Sequence, residues 1–483
     1  MLLYMPNDWF AYGEQHMQLP IVAPAPLVTV HAHAFHDLFE NRCQFQHFQH
    51  YLTGLMVLPN KSLTNIARCL LSSADKTNLA RFLSEAPWCE ADVNARRIQY
   101  VLHQTRTQRR GKAESLLVLD DTLCEHVGSL FEYVDRHYNH TDSTYPLAHN
   151  PVTSFYVSGA VRVPLDLRLY RRYEELTQWD TFVAKHFPEQ VIPTTTKVRA
   201  KLHKQLDPIL LTDPDFAALH AQFRTKIALG IELITAAIRH KVPFGVVVFD
   251  GWYLAEELVT VLARRRKAWV SILKKNRKIE TASFVLKDAA GQPIVLDGPH
   301  IAAADLIPLI PATAYREVKV GETTYWCFSV VVRIASLGRV RLVISYATAA
   351  LAGSYAILIT NQVAWSSQKI IATYLQRWPI ETFYQDSKGH LGLDAYRMRS
   401  AEAIGKHWCL VFVAYTFLHL ACLAASLTKG SSPIKTIGDA CRQQVQALIE
   451  KLLLSVHERL LHGQLAEDVF AQLFAKQRVV PAI

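Results

Sequence analysis

Residues Leu116–Thr122 read LLVLDDT: four apolar residues, then two acids and a threonine. A run so short and so apolar is a strand buried on both faces, and a strand that stops on carboxylates holds an acid rigidly at the sheet edge, where active sites are built. The pattern recurs in VPFGVVVFDGWY, where Val246–Phe249 is a second buried strand ending on Asp250. Helical periodicity precedes it over 216–240 and follows it over 253–266, and AWVSILKK, from Ala268, is a third strand. Strand and helix therefore alternate, and the core is α/β.

Outward from this core the chain changes character. Residues 36–110 look helical, and 62–85 read as two short helices broken at 72–75, with Ser62 and Asp75 as N-caps. Such a pair fits a DNA-reading helix-turn-helix and equally two packed helices of any bundle. TSFYVSGAVRV and PLDLRLYRR are two further strands, the second ending on Arg171 and Arg172. Short strands with turn residues fill 276–350, a β-rich insertion; after YAILITN the chain turns helical, and from Ser431 it forms two or three amphipathic helices. The expected division is a helical N-terminal DNA-binding region (1–112), an α/β catalytic domain (113–275 with 351–428), the insertion (276–350) and a helical C-terminal region (429–483).

Composition narrows the function. The 483 residues suffice for two to four structural units with real cores, and 52 Lys and Arg against 42 Asp and Glu give a formal charge of +10, which favours a polyanionic partner. Eight scattered cysteines, none in a Cys-x-x-Cys pair, suggest neither a zinc knuckle nor a disulfide framework and fit a reducing cytoplasm. The N-terminus lacks a basic segment followed by an apolar run, so no secretory signal is expected. Trp408–Leu427 is long enough to span a bilayer, but it contains Thr416, His419 and Ser426 and follows basic sequence, so a buried helix and no membrane partner are expected.

Three acids stand out: Asp121 and Asp250 at strand ends, and Glu381 in YLQRWPIETFYQDSK (Tyr374–Lys388). An isolated aspartate is most often a turn residue or cap, but three converging carboxylates in a basic chain suit a two-metal phosphoryl-transfer site. Glu381 and Lys388, seven apart, share a helical face, as do Tyr374 and Arg377, three apart. Pro379 ends one helix near Trp378 and opens another, which sets Glu381 near a helix N-terminus, flanked by a guanidinium, an ammonium and a phenol suited to phosphate. Lys274, Lys275 and Arg277 leave the third strand near this site and are candidates for the DNA backbone, whereas Arg264–Lys267 fits a surface helix end equally well. His137, His140 and His149 read as a solvated turn rather than a zinc site. No Ser/His/Asp arrangement or Gly-rich phosphate loop is present, so no nucleotide cofactor is expected.

Tyr374, Arg377, Glu381 and Lys388 match Tyr-x2-Arg-x3-Glu-x6-Lys at every spacing. Here the sequence resembles the cut-and-paste DDE transposases of bacterial insertion sequences, in the subgroup with that signature, over roughly residues 113–428. The resemblance implies an RNase H-like mixed sheet flanked by helices, with the β-rich insertion between the second aspartate and the glutamate and helical regions at both ends. It implies Asp121, chosen over Asp120 because Thr follows it, with Asp250 and Glu381 as ligands of two Mg2+ ions, Mn2+ being possible. Tyr374, Arg377 and Lys388 would hold DNA phosphates, and Tyr355 or Trp326 would stack on a base near the cut. The protein would bind the ends of its own element as a homodimer on double-stranded DNA, cleave through a hairpin and join 3′ hydroxyls to target DNA in a prokaryotic cytoplasm, associated with the nucleoid. A metal-dependent nuclease or resolvase without joining, or an inactive domesticated DNA-binding protein, are the alternatives.

Overall fold

The structure, a computed structural model, describes residues 18–71, 75–139, 141–427 and 434–477. The chain divides into two compact units, Met1–Trp88 with Gly438–Ile483 and Cys89–Ile437.

The first unit opens with α1 (Pro26–His31), α2 (Arg42–Val57), α3 (Leu63–Cys69) and α4 (Lys76–Ser84). The expected caps form: Ser62 Oγ accepts from Asn65 N at 3.3 Å and Asp75 Oδ1 from Asn78 N at 2.7 Å, each satisfying an orphan donor of the first turn. The expected break between these helices lies mostly at 72–74, outside the described residues. Aromatic rings fill the unit's core, Phe39 against Phe48 at 4.9 Å and Phe82 against Trp88 at 5.2 Å between centroids.

The second unit is built on a mixed sheet. It begins with α5 (Glu90–Gln104), β1 (Leu116–Asp121), β2 (Cys124–His126), β3 (Asp135–Arg136), β4 (Leu147–Ser158) and β5 (Val161–Tyr170). Four helices follow, α6 (Tyr173–Thr177), α7 (Trp179–His186), α8 (Thr196–Leu210) and α9 (Pro214–His220), then α10 (Lys226–Arg239), β6 (Val246–Phe249), α11 (Glu256–Arg264) and β7 (Ala268–Ile272). After a small pair, β8 (Lys278–Glu280) with β9 (His300–Ala302), and the short α12 (Ala303–Leu306) come β10 (Arg316–Val320), β11 (Thr323–Ile334), β12 (Gly338–Tyr346) and β13 (Tyr355–Thr360). The unit ends with α13 (Ser367–Leu375), α14 (Pro379–Leu391) and α15 (Ala401–Leu427), after which α16 (Ile437–Leu461) and α17 (Ala466–Leu473) carry the chain back into the first unit.

The strands run in the order β10-β11-β12-β13-β7-β6-β1-β4-β2, with β3 and β5 also on β4. β1 lies mid-sheet, parallel to β6 and antiparallel to β4, and β6 is parallel to β7. This large mixed sheet with flanking helices is the RNase H-like fold expected. The strands β10 to β12, read in the sequence as an insertion, extend the same sheet by way of β13. Close approach fixes the start of β6: a Cβ on Gly245 would meet the carbonyl oxygen of Lys112 at 2.7 Å, so only glycine fits.

Two sequence expectations shift. The hairpin turns at Gly159, whose φ is +63°, so TSFYVSGAVRV is split between β4 and β5 and Pro164 lies inside a strand. Proline is tolerated there because the register slips beside it: Ser154 faces Asp166, Phe155 faces Pro164, and Leu165 is the extra residue of a bulge. The carbonyls freed at the bulge are taken by a fully buried Arg97, which donates to Pro164 O at 2.8 Å and Leu165 O at 2.6 Å, while Asn94 Nδ2 donates to Leu165 O at 3.0 Å. Helix α15, long and apolar enough to cross a membrane, packs instead on α5 and β5, and the polar residues in its run have partners. Arg97 donates to Thr416 Oγ1 at 3.1 Å, and the backbone N–H of Arg162 donates to His419 Nε2 at 3.0 Å.

Candidate active site

The β1–β6 register sets the site. Leu119 pairs with Phe249, so the next residue of each strand, Asp120 and Asp250, emerges side by side from neighbouring parallel strands. Asp121, one residue on, lies within electrostatic reach of Asp250. Its Oδ2 accepts from Lys226 Nζ at 2.8 Å and from Asn150 Nδ2 at 3.1 Å, and its Oδ1 accepts from the Tyr253 hydroxyl at 2.9 Å. The sequence argument names Asp121; Asp120 beside it is drawn in by Arg377, and Asp250 lies within electrostatic reach of both strand-end acids.

The third acid arrives from the helix break predicted at Pro379. Helix α13 ends at Leu375, α14 starts on Pro379, and the intervening turn carries Arg377 toward β1. Its guanidinium pairs with Asp120 through Nη1 and donates to Glu381 Oε1 from Nη2 at 2.9 Å, bridging the two acids. Lys388, two turns along α14, donates to the carbonyl of Leu123 at 2.6 Å, fastening the helix to the end of β1. Gly392, with φ +71°, caps α14.

Electrostatics follow from this crowding. Burial drives the Asp120 carboxyl well above the ordinary range; Arg377 opposes that, while Glu381, Asp121 and Asp250 add to it. Asp250 is raised too, mainly by burial and further by Asp121, against the backbone N–H of Trp252 and Arg377. Burial raises the Tyr374 phenol, which lies within electrostatic reach of Arg377, Asp250 and Asp120. For Arg377 burial works against the charge, but Asp120, Tyr374 and Glu381 outweigh it and hold the guanidinium above its usual value.

Other expected residues lie farther out. Lys274 Nζ sits 3.8 Å over the Trp252 ring and Lys275 Nζ 4.6 Å over Tyr355, whereas Arg277 donates to Leu254 O at 2.7 Å, a structural bond. Tyr355 is half-buried against Tyr346, and Trp326 is half-buried against the sheet core. The aromatic rings open at the site are Trp252 and Trp378, 61% and 68% exposed, next to Asp250 and Arg377. The sequence reading named neither ring, nor Lys226 on Asp121; for the two tryptophans, adjacency to Asp250 and Arg377 was the available signal.

The histidines correct a further expectation. His149 is buried in β4, its Nδ1 bonded to the Tyr396 hydroxyl at 2.6 Å and its Nε2 to Glu132 O at 2.8 Å, and His137 is buried with its pKa lowered to about 4 by burial. They belong to a packed core, not a solvated turn; His140 lies outside the described residues.

Among the described residues no three His, Cys, Asp or Glu side chains are gathered closely enough to hold a metal ion. Arg377 stands between Asp120 and Glu381. The donor set nevertheless suits a hard cation. Four carboxylates, Asp120, Asp121, Asp250 and Glu381, share this region with two paired cations, Arg377 and Lys226, and two of the acids are raised by burial and mutual repulsion.

Comparison with known families agrees with this arrangement. A family model described as "DDE superfamily endonuclease" matches residues 34–294, and one described as "Transposase DDE domain" matches residues 190–417. No curated protein matches the chain. With the first match covering more than half of the chain, and acids at the ends of β1 and β6 and on α14 lying at one end of an RNase H-like sheet, the chain belongs to the DDE superfamily of endonucleases, as a DDE transposase.

Proposed function

We propose that this DDE transposase belongs to the Tyr-Arg-Glu-Lys subgroup, binds the ends of its own element, cleaves them and joins the freed 3′ hydroxyls to target DNA. The observation that carries the proposal is the Arg377 bridge, which draws the signature glutamate to the aspartate neighbouring Asp250. Asp121, Asp250 and Glu381 are the acids assigned to Mg2+ or Mn2+, with Lys226, Asn150 and Tyr253 holding Asp121 in place and Asp120 positioned through Arg377. Divalent ions bound there would supply Lewis-acid stabilisation of the attacking and leaving oxygens. The chain's own groups do the rest. Arg377, released from its carboxylates, offers two parallel N–H donors to a phosphate, and Tyr374 lies beside it to donate a phenolic hydrogen bond. Lys388 holds α14 to β1 so that Glu381 keeps its place. Lys274 and Lys275 leave β7 beside the acids as further phosphate partners, with Trp252 or Tyr355 as the stacking surface. Two ends require two protomers, so a homodimer on DNA is part of the proposal.

The test is nicking and joining of labelled DNA carrying the element's ends, with Mg2+, by wild type and by the Asp120→Asn, Asp121→Asn, Asp250→Asn and Glu381→Gln variants. Loss of about 10³-fold or more on Asp121, Asp250 and Glu381, with a smaller loss on Asp120, is expected. Cleavage without joined product sinks the transposase in favour of a nuclease, and full activity of the Asp121→Asn variant overturns the assignment of acids.

A further inference from the structure

The chain between Tyr170 and Lys226 leaves the sheet and returns to the same place. Tyr170 ends β5 opposite Asn150, whose amide donates to Asp121, and Lys226 opens α10 with its ammonium on Asp121 and over the Tyr170 ring at 5.2 Å. Helices α6 to α9 thus form an appendage tied at both ends beside the acids. It has its own core of Trp179, Phe182, Val183, Leu202, Leu206 and Phe216, among others, so it is a rigid element rather than a loop.

Its charges are segregated. Over 173–223 there are seven Asp and Glu against five Lys and Arg, so the appendage is not basic as a whole. The inner face of α8 absorbs acids: Arg199 pairs with Glu174 and Asp180, His203 Nε2 bonds Glu174 at 2.9 Å, and Asp207 accepts from the Tyr173 hydroxyl at 2.9 Å and from Trp179 Nε1 at 2.7 Å. Lys197, Lys201 and Lys204 occupy the opposite face, within about 60° of one another at 100° per residue. All three are exposed, and among the described residues none pairs with a carboxylate. They extend along about 10 Å of helix, a length over which duplex DNA carries roughly six phosphates.

We infer that this face of α8 is a DNA-backbone site: it binds the phosphates of the duplex flanking the position engaged by the acids, independently of sequence. The inference rests on the transposase reading for its substrate and extends it to a surface outside the acids. Lysines on flexible stems suit this role, since a compact ammonium meets a phosphate without demanding one geometry. Because each neutralised phosphate releases counterions, the site has a measurable signature in salt.

The probe is a fluorescent duplex of random sequence, about 30 base pairs long, titrated with the full chain in EDTA across a range of salt. For the triple variant Lys197→Gln/Lys201→Gln/Lys204→Gln, the slope of log K against log salt is expected to be shallower by about 2 to 3, with binding at least tenfold weaker at low salt. The triple Lys→Arg variant, which keeps the charges, should retain the wild-type slope. Equal slopes for wild type and the glutamine variant overturn the inference, and so does an arginine variant as impaired as the glutamine one. A wild type that binds the duplex but neither nicks nor joins element ends with Mg2+ defeats the transposase reading alone, leaving the lysine face to be judged on the slopes.

Discussion

With its guanidinium shared between Asp120 and Glu381, Arg377 neutralises two acids that would otherwise face each other and Asp250 with little water between them. Truncating it leaves Asp120 buried and unpaired, so Arg377→Ala should lower stability by about 3 kcal/mol in EDTA, measured by urea unfolding, with part regained in Mg2+. The acids themselves act in the opposite sense. Asp120 and Asp250 hold protons more tightly in the folded chain than in the unfolded one, so folding loses stability as pH rises from about 4, where unfolded aspartates ionise, through their higher folded values. Asp250→Asn should therefore raise Tm in EDTA by roughly 1–3 °C at pH 7 but not at pH 4, followed by calorimetry. A Tm difference that is the same at both pH values would show that this repulsion is absent. At this scale the sequence was legible in the motif: it set Glu381 near a helix N-terminus flanked by Arg377, and the structure pairs the two at 2.9 Å. At LDDT spacing alone does not choose between the two adjacent acids, because which of them faces a neighbouring strand depends on register, and register is a property of the pair.

Among the elements, the strands that end on acids were legible because buried parallel strands are continuous apolar runs, and Val246–Phe249 forms the strand expected of it. The helix break at Pro379 was legible because a missing N–H costs nothing in a first turn. The bulge in β5 was not, since Pro164 suggests a strand start when read alone and becomes tolerable only with Arg97 supplying donors to the freed carbonyls. That arginine holds α5, β5 and α15 together, and burial lowers its pKa to about 10. Arg97→Met keeps the volume but removes every guanidinium donor, including those to Pro164 O and Asn94 Oδ1, while Leu165 O keeps Asn94 Nδ2. A loss of about 3 kcal/mol or more in urea unfolding is expected, with the unit following Trp88 affected first. A change below about 0.5 kcal/mol would mean that water replaces the guanidinium there.

On the scale of the whole molecule, alternation of strand and helix gave the α/β core, while the expected insertion merged into one continuous sheet, because edge strands pair wherever a free edge is offered. The appendage of α6 to α9 went unseen: all its helices but α8 are short, and its core draws on residues scattered over some forty positions rather than on a single periodic face. The acids come from β1, β6 and α14, three segments separated by more than a hundred residues each. Contacts so distant in sequence form late in folding, after the loops between them have closed. During synthesis a nascent chain can lay down β1 and β6 and still lack Glu381, so the capacity to cut DNA arises only when most of the protein has left the ribosome and α14 has docked. A potentially harmful nuclease is thereby kept inert until its own folding is nearly complete.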